Sequence, residues 1–89
     1  MAEYFDGTRL NKLMDKYGVM QITVARHAQL HQPTVAGIIS GWLPVGEKRK
    51  LDFVTGVIGA FAGETGAKMR EIGLTISRHN WKKTKRRAR

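Results

Sequence analysis

Residues 21–44, QITVARHAQLHQPTVAGIISGWLP, decide the fold that this sequence predicts. Two runs of apolar residues in this stretch have helical spacing, and they comprise Val24, Ala25, Ala28, Val35, Ile38 and Ile39. Leu30 lies between the two runs, where we expect a tight turn. Pro33 opens the second run, and proline suits the first position of a helix because no backbone donor is needed there. We therefore expect helices over about 21–28 and 32–41, joined as a helix-turn-helix.

The stretch resembles the helix-turn-helix of the Cro and phage-repressor family of regulators. The resemblance rests on Gln21, Ala25, Leu30 and Val35, and on the run Gln32-Pro33-Thr34-Val35. It implies an all-α domain of four or five helices, with the second helix of the motif in the major groove of DNA. Two positions depart from the family pattern: Gln29 replaces the usual turn glycine, and Met20 replaces the usual Ser or Thr cap. Gln29 implies about 1 kcal/mol of backbone strain, or a different turn geometry.

Further helices are predicted on either side of the motif. The apolar stripe of the first comprises Leu10, Leu13, Met14 and Tyr17. Asp6 or Thr8 can cap this helix, and Gly18 can end it. The stripe of the helix after Pro44 comprises Leu51, Val54, Ile58 and Phe61, with Phe53 and Val57 widening it.

Residues 63–81 allow two structures. Met69, Ile72 and Ile76 share one face of a helix, whereas the alternation that includes Leu74 fits a strand. We favour the helix, and we expect this apolar segment to serve dimerisation. The predicted organisation has three parts, namely a helix-turn-helix domain over 1–62, a dimerisation segment over 63–81 and a basic tail over 82–89.

The positive charge is concentrated at the C-terminus. The chain carries 16 Lys and Arg residues against 7 Asp and Glu residues, a net charge of +9. Six of the positive residues lie among the last eight, and they are Lys82, Lys83, Lys85, Arg86, Arg87 and Arg89. Because such a run cannot bury apolar surface, we expect a disordered tail that binds the phosphates of a polyanion. The alternative is a tail that only increases solubility.

Residues 43–51, LPVGEKRKL, allow a second architecture. The stretch resembles the wing of winged-helix excisionases and MerR-type proteins, a basic hairpin centred on glycine that touches the DNA backbone or minor groove. The other interpretation makes Glu47 to Lys50 the charged first turns of the next helix. We favour this second interpretation.

The second helix of the motif predicts the base contacts. At 100° per residue, Val35, Ile38, Ile39 and Trp42 share its inner face. The residues expected to reach base edges are His31, Gln32, Thr34 and Gly37. Gln32 is the best candidate because its carboxamide can pair with adenine N6 and N7, and Gln21 can support it.

The DNA backbone is expected to contact a larger set of side chains. This set comprises Gln21, Arg26, Ser40, Lys48, Arg49, Lys82, Lys83, Lys85, Arg86, Arg87 and Arg89. Arg9 and Lys12 are weaker candidates. Trp81 could stack on a base, but we favour a role in anchoring the C-terminal segment to the core.

The sequence offers no pattern for catalysis, a metal or a cofactor. His27 and His31 have the spacing of a metal pair, but the predicted turn separates them and no thiolate or acidic cluster completes the set. No Gly-rich nucleotide loop follows a strand, and no small-molecule site is evident. There is no cysteine, and no apolar run approaches the roughly 18 residues that span a membrane. We therefore expect a cytoplasmic, nucleoid-associated protein that is not an enzyme.

These features together predict a sequence-specific, double-stranded DNA-binding transcription regulator. Its type would be a phage or plasmid repressor, and its state a homodimer. One alternative is an excisionase-like architectural DNA-binding protein. Another is a small basic RNA-binding protein, although the β-sheet aromatic motifs of the common RNA modules are absent.

Overall fold

The computed structural model describes residues 2–63 and 65–84, which form five α-helices and a two-stranded sheet. The helices are α1 (Thr8–Tyr17), α2 (Gln21–Ala28), α3 (Gln32–Ser40), α4 (Glu47–Ala62) and α5 (Met69–Ile76). The strands are β1 (Tyr4–Phe5) and β2 (Trp81–Lys82), with a 3-10 turn over Arg78–Asn80 before β2. The predicted all-α domain of four or five helices is confirmed.

Local signals account for the ends of the first helices. The Asp6 carboxylate accepts a hydrogen bond of 3.0 Å from the Thr8 N–H, and Gly18 ends α1 with a left-handed φ of 68°. Gln29 ends α2 with a φ of 58°, and Met20 provides no side-chain cap. Of the two alternatives for Gln29, the structure therefore has the strained one. The turn closes where the Leu30 N–H donates to the Ala25 carbonyl at 3.0 Å.

The five helices share one core. Its largest fully buried helix side chains are Leu10, Val24, Val35, Ile38, Phe53, Val57, Phe61 and Ile72. Helices α2 and α4 approach each other closely, since a Cβ on Gly56 would lie only 2.7 Å from the Ala28 Cα. Glycine at this position allows α4 to pack directly on the first motif helix.

Two of the predicted helix faces are correct except for one residue each. Leu51 is 66% exposed, because α4 packs on α2 through the side that carries Gly56, while Phe53 is fully buried in the core. Trp42 is 58% exposed rather than on the inner face of α3. Its prediction fails because α3 ends at Ser40 and the left-handed Gly41 redirects the chain, so helical periodicity no longer applies.

The segment 63–81 contains a helix, as favoured, and it lies in the same core as the motif. Ile72 is fully buried, and Trp81 is only 6% exposed, which confirms the anchoring role predicted for Trp81. The boundary predicted between residues 62 and 63 therefore does not separate two hydrophobic cores, because Ile72 and Trp81 belong to the same core as the motif helices. Dimerisation through this segment stays a prediction.

A polar contact also holds α5 to α1. Tyr17 Oη and Lys16 Nζ donate to the Glu71 carboxylate at 2.8 and 3.0 Å. These two hydrogen bonds, followed by one from the Lys68 N–H, lower the pKa of Glu71 to about 2.

Both ends of the described chain meet beside α4. Phe5 pairs with Trp81 in the sheet, and Glu3 forms a backbone bridge with Val45. Lys50 Nζ lies 2.7 Å from Glu3 Oε1 and 4.8 Å from the centre of the Trp81 ring. The hydrogen bond from Lys50 also lowers the pKa of Glu3.

These contacts show the structure of residues 43–51 and the place of Lys82, which the sequence left open. Residues 43–51 form no hairpin, since Val45 pairs with the N-terminal strand and α4 begins at Glu47, as favoured. Lys82 belongs to β2, so the expected disordered tail cannot begin there. Residues 85–89, the end of that predicted tail, lie outside the described residues.

Candidate nucleic-acid interface

The N-terminal ends of the two motif helices, α2 and α3, are open to an anion. Neither helix has a side-chain cap or an acidic residue in its first turn. By contrast, Asp6 accepts from the first turn of α1, and Glu71 accepts from the Lys68 N–H at the start of α5. The first backbone N–H groups of a helix carry a partial positive charge that favours phosphate. Because no side chain caps α2 or α3, this partial positive charge stays available to a phosphate at the start of both helices.

The two glutamines of the prediction lie beside each other. Gln21, at the start of α2, and Gln32, at the start of α3, line one shallow depression together with Asn11 and Asp15 of α1. Gln21 is half-buried and Gln32 is exposed. No hydrogen bond joins the two side chains among the described contacts, so the Gln32 carboxamide keeps its donor and its acceptor for a ligand.

The exposed residues of α3 lie mainly at its N-terminal end, with Ser40 exposed at the other end. His31, Gln32 and Pro33 are exposed, and Thr34 is half-buried. Gly37, predicted as a base contact, is buried, and a Cβ there would lie 3.2 Å from the Leu43 Cβ. The Leu43 side chain covers this part of the helix, so the structure contradicts a role for Gly37 in base contact.

Ser40 is also poorly suited to its predicted role. Its hydroxyl donates to the Ala36 carbonyl at 2.7 Å, within the same helix. A phosphate oxygen accepts hydrogen bonds, and the one donor of Ser40 is already used. Ser40 is exposed, but it offers DNA only an acceptor.

Cations flank the turn between α2 and α3. Lys48 and Arg49 line a depression with Gln29 and Leu30, and Arg26 is exposed on α2. Lys48 Nζ lies 3.6 Å from Asp52 Oδ2, an exposed pair of the kind that contributes little stability. Within residues 2–63 and 65–84, no ion pair of Arg49 is found. Arg49 is therefore the better placed of the two for a phosphate.

The remaining predicted phosphate contacts do not join this surface. Lys82 lies in a second depression with Arg9 and Lys12, at a neighbouring face of α1, and Lys83 is exposed. Lys85, Arg86, Arg87 and Arg89 lie outside the described residues. His79 and Asn80 also line the second depression, and sequence analysis missed both. No spacing signal connects them to α1, because they lie about seventy residues further along the chain.

The described residues contain no group of three or more His, Cys, Asp or Glu side chains that could hold a metal ion. In this part of the chain, none of the helices has the length and apolar character needed to cross a membrane. No protein-family model, curated protein or solved structure matches the chain.

Proposed function

We propose that this protein is a sequence-specific, double-stranded DNA-binding transcription regulator, a repressor of the phage or plasmid type. In this proposal the N-terminal turn of α3 enters the major groove. The observation that carries it is the exposed Gln32, which lies beside Gln21 where two uncapped helices begin. The net charge of +9 supports a polyanionic ligand.

The chemistry of each group fits a separate part of a duplex. The Gln32 carboxamide can donate to adenine N7 and accept from adenine N6, a pairing that distinguishes adenine from the other bases. The first N–H groups of α2 can donate to a phosphate that fixes this register, and Gln21 can buttress Gln32 from the same depression when DNA is bound. Arg26 and Arg49 can neutralise phosphates on either side of the turn, independently of sequence.

We further propose that the protein binds DNA as a homodimer. The exposed or half-buried residues at the N-terminal end of α3 are His31, Gln32, Pro33 and Thr34. So few side chains contact too few base pairs for one copy to select a unique site. Two copies on half-sites one turn apart, about 34 Å, would double the contacts.

The alternatives have less support. An excisionase-like function rested on a basic wing after the motif, and Val45 instead pairs with Glu3. A sheet that binds RNA needs exposed aromatic side chains on which bases stack. In the described sheet, Phe5 and Trp81 are both buried and Tyr4 is half-buried, so no fully exposed ring is present there.

The test begins with selection of duplexes from a random library, followed by fluorescence anisotropy with the selected and a scrambled duplex. We expect Gln32→Ala to weaken binding to the selected duplex by about 1–3 kcal/mol, or about 5- to 150-fold, and to leave the scrambled duplex unchanged. Arg26→Ala should weaken both alike. Thr55→Ala, an exposed position on α4, is the control and should change neither.

Two outcomes would contradict the proposal. A library that yields no preferred duplex would remove sequence specificity altogether. If Gln32→Ala weakens binding to the selected and the scrambled duplex equally, α3 does not recognise the base sequence. A selected site without two-fold symmetry, bound by a monomer in sedimentation, would contradict the dimer alone.

A further inference from the structure

A second depression lies between α1 and the C-terminal strand, and we name it the α1–β2 cleft. Its lining residues are Asp6, Thr8, Arg9, Lys12, His79, Asn80 and Lys82. Three of these, Arg9, Lys12 and Lys82, are positively charged and exposed. The one acidic side chain, Asp6, accepts hydrogen bonds from the N–H and the hydroxyl of Thr8.

A buried amide holds the cleft in shape. Asn80 is 3% exposed, and its Nδ2 donates to the Leu74 carbonyl at 2.9 Å and to Ser77. Its Oδ1 faces the cleft and accepts from Arg9 Nη1 at 3.4 Å. Its backbone carbonyl accepts from the Asp6 N–H. One side chain thus ties the end of α5 to the start of α1 and orients a guanidinium in the cleft.

Two cations of the cleft have no partner in the described protein. Within residues 2–63 and 65–84, neither Lys12 nor Lys82 makes a hydrogen bond or an ion pair through its side chain. Cations that share a depression repel each other, and an anion bound between them would remove this repulsion. Three cations that line one depression suit a ligand with successive phosphates.

Helix α1 lines both this cleft and the depression at α3. Asn11 and Asp15 line the depression with Gln32, whereas Arg9 and Lys12 line the cleft with Lys82. Because Lys12 and Asp15 are three residues apart on one helix, the two depressions lie on neighbouring faces of α1. The major groove of B-DNA is about 12 Å wide. If α3 enters the groove, a sugar–phosphate strand that flanks the groove would pass near α1 and the cleft.

We propose that the α1–β2 cleft binds the phosphodiester backbone of the same duplex, outside the base pairs that α3 reads. This inference rests on the proposed function. Arg9, Lys12 and Lys82 contact the phosphates, and Asn80 acts as a positioning residue for Arg9. The cleft lengthens the footprint of each copy without reading sequence.

The experiment uses the full chain and a selected duplex extended by ten base pairs on each side. The variant is Lys12→Gln with Lys82→Gln, and the control is Lys68→Gln with Arg70→Gln, two exposed cations that line none of the depressions described above. The slope of log K against log[salt] should fall in magnitude by about 1.8 per chain in the variant, from two lost phosphate contacts. The control should keep the slope of the unmodified protein. Both should keep its thermal midpoint.

Each contrary result identifies what fails. If the unmodified protein prefers the selected duplex but the variant keeps its slope and affinity, the cleft inference is wrong and the proposed function stands. If the unmodified protein has no duplex preference, both are wrong. The cleft inference also fails if the variant loses affinity for single-stranded RNA but not for the duplex. It fails again if inorganic phosphate shifts the amide NMR signals of Lys12 and Lys82 as strongly as the duplex does.

Discussion

At the scale of single residues, Gln29 has the most unusual backbone of the described chain. It is the one non-glycine residue there with a positive φ, 58°, and it closes the turn that sets α3 against α2. A residue with a Cβ is strained in this region by about 1 kcal/mol or more, because the Cβ approaches the following carbonyl oxygen. The strain persists because the buried Ala25 and Ala28 fix the end of α2 on one side of the turn and Val35 fixes α3 on the other.

We therefore expect Gln29→Gly to raise the free energy of unfolding by about 0.5–1 kcal/mol, after the higher backbone entropy of the unfolded glycine is subtracted. Gly18 offers the matched control, with a φ of 68° and open space for 4 Å around the place that a Cβ would take. Gly18→Ala should lower the free energy of unfolding by a similar amount, about 0.5–1 kcal/mol, because the same strain and entropy contributions act in the opposite direction. Urea unfolding measures both. A destabilised Gln29→Gly would mean that the Gln29 side chain contributes more than its backbone costs.

At the scale of elements, the contact between α2 and α4 sets the position of the motif. Gly56 lies against Ala28, and Gly59 lies against the His27 ring, where a Cβ would be 2.9 Å from Nδ1. Small residues at these positions bring the two helix backbones close together. This contact also explains why Leu51 is exposed. The side of α4 that packs on α2 carries Gly56, and Leu51 lies on a different side of the helix.

Two glycine substitutions within helices should have opposite signs. Gly56→Ala should lower the free energy of unfolding by about 1–3 kcal/mol or more, because the new Cβ would clash with the backbone of Ala28. Gly73→Ala, at an exposed position of α5 with open space around it, should raise it by about 0.5–1 kcal/mol through helix propensity. Thermal unfolding followed by circular dichroism compares the two. Equal effects would show that the α2–α4 contact is looser than described.

At the scale of the whole molecule, distant parts of the chain close the domain. The aromatic rings of Phe5, Phe53 and Trp81 meet at centroid distances of 4.7–6.1 Å, and Lys50 covers the Trp81 ring. On α1, Tyr17 and Lys16 hold Glu71 of α5. The C-terminal part of the chain thus stabilises the same fold that presents the motif helices.

The contact at Glu71 predicts a dependence of stability on pH. Its pKa is about 2 in the folded protein, below the ordinary value of 4.5, so the folded state prefers the charged carboxylate. This contribution is present above about pH 4.5 and is lost as pH falls toward 2. Glu71→Gln should lower the stability at pH 7 and flatten its decline over this interval. Glu47→Gln, an exposed carboxylate in the first turn of α4, is the control. Parallel declines in Glu71→Gln and the unmodified protein would contradict the prediction.

Much of the fold could be predicted from short stretches of sequence. Pro33, Gly18 and the apolar spacing around Val24 and Val35 predict where three helices begin, end and turn inward, because these signals act within one or two helical turns. The position of Gln32 at an exposed helix start follows from the same local signals. The wing-or-helix question at Glu47 was also answered in favour of the local helix signal.

Other features depended on residues far apart in the chain. Gly37 is buried because the Leu43 side chain packs against it. Leu51 is exposed because α4 packs on α2 through another side, where Gly56 lies against Ala28. The α1–β2 cleft exists because Arg9 meets Asn80, seventy-one residues later. Periodicity predicts that a helix has an apolar side, but neighbouring elements determine which side is covered and which polar groups meet. Which side of a helix is buried and which polar groups meet depend on close packing over the whole molecule, so no local sequence pattern predicts them.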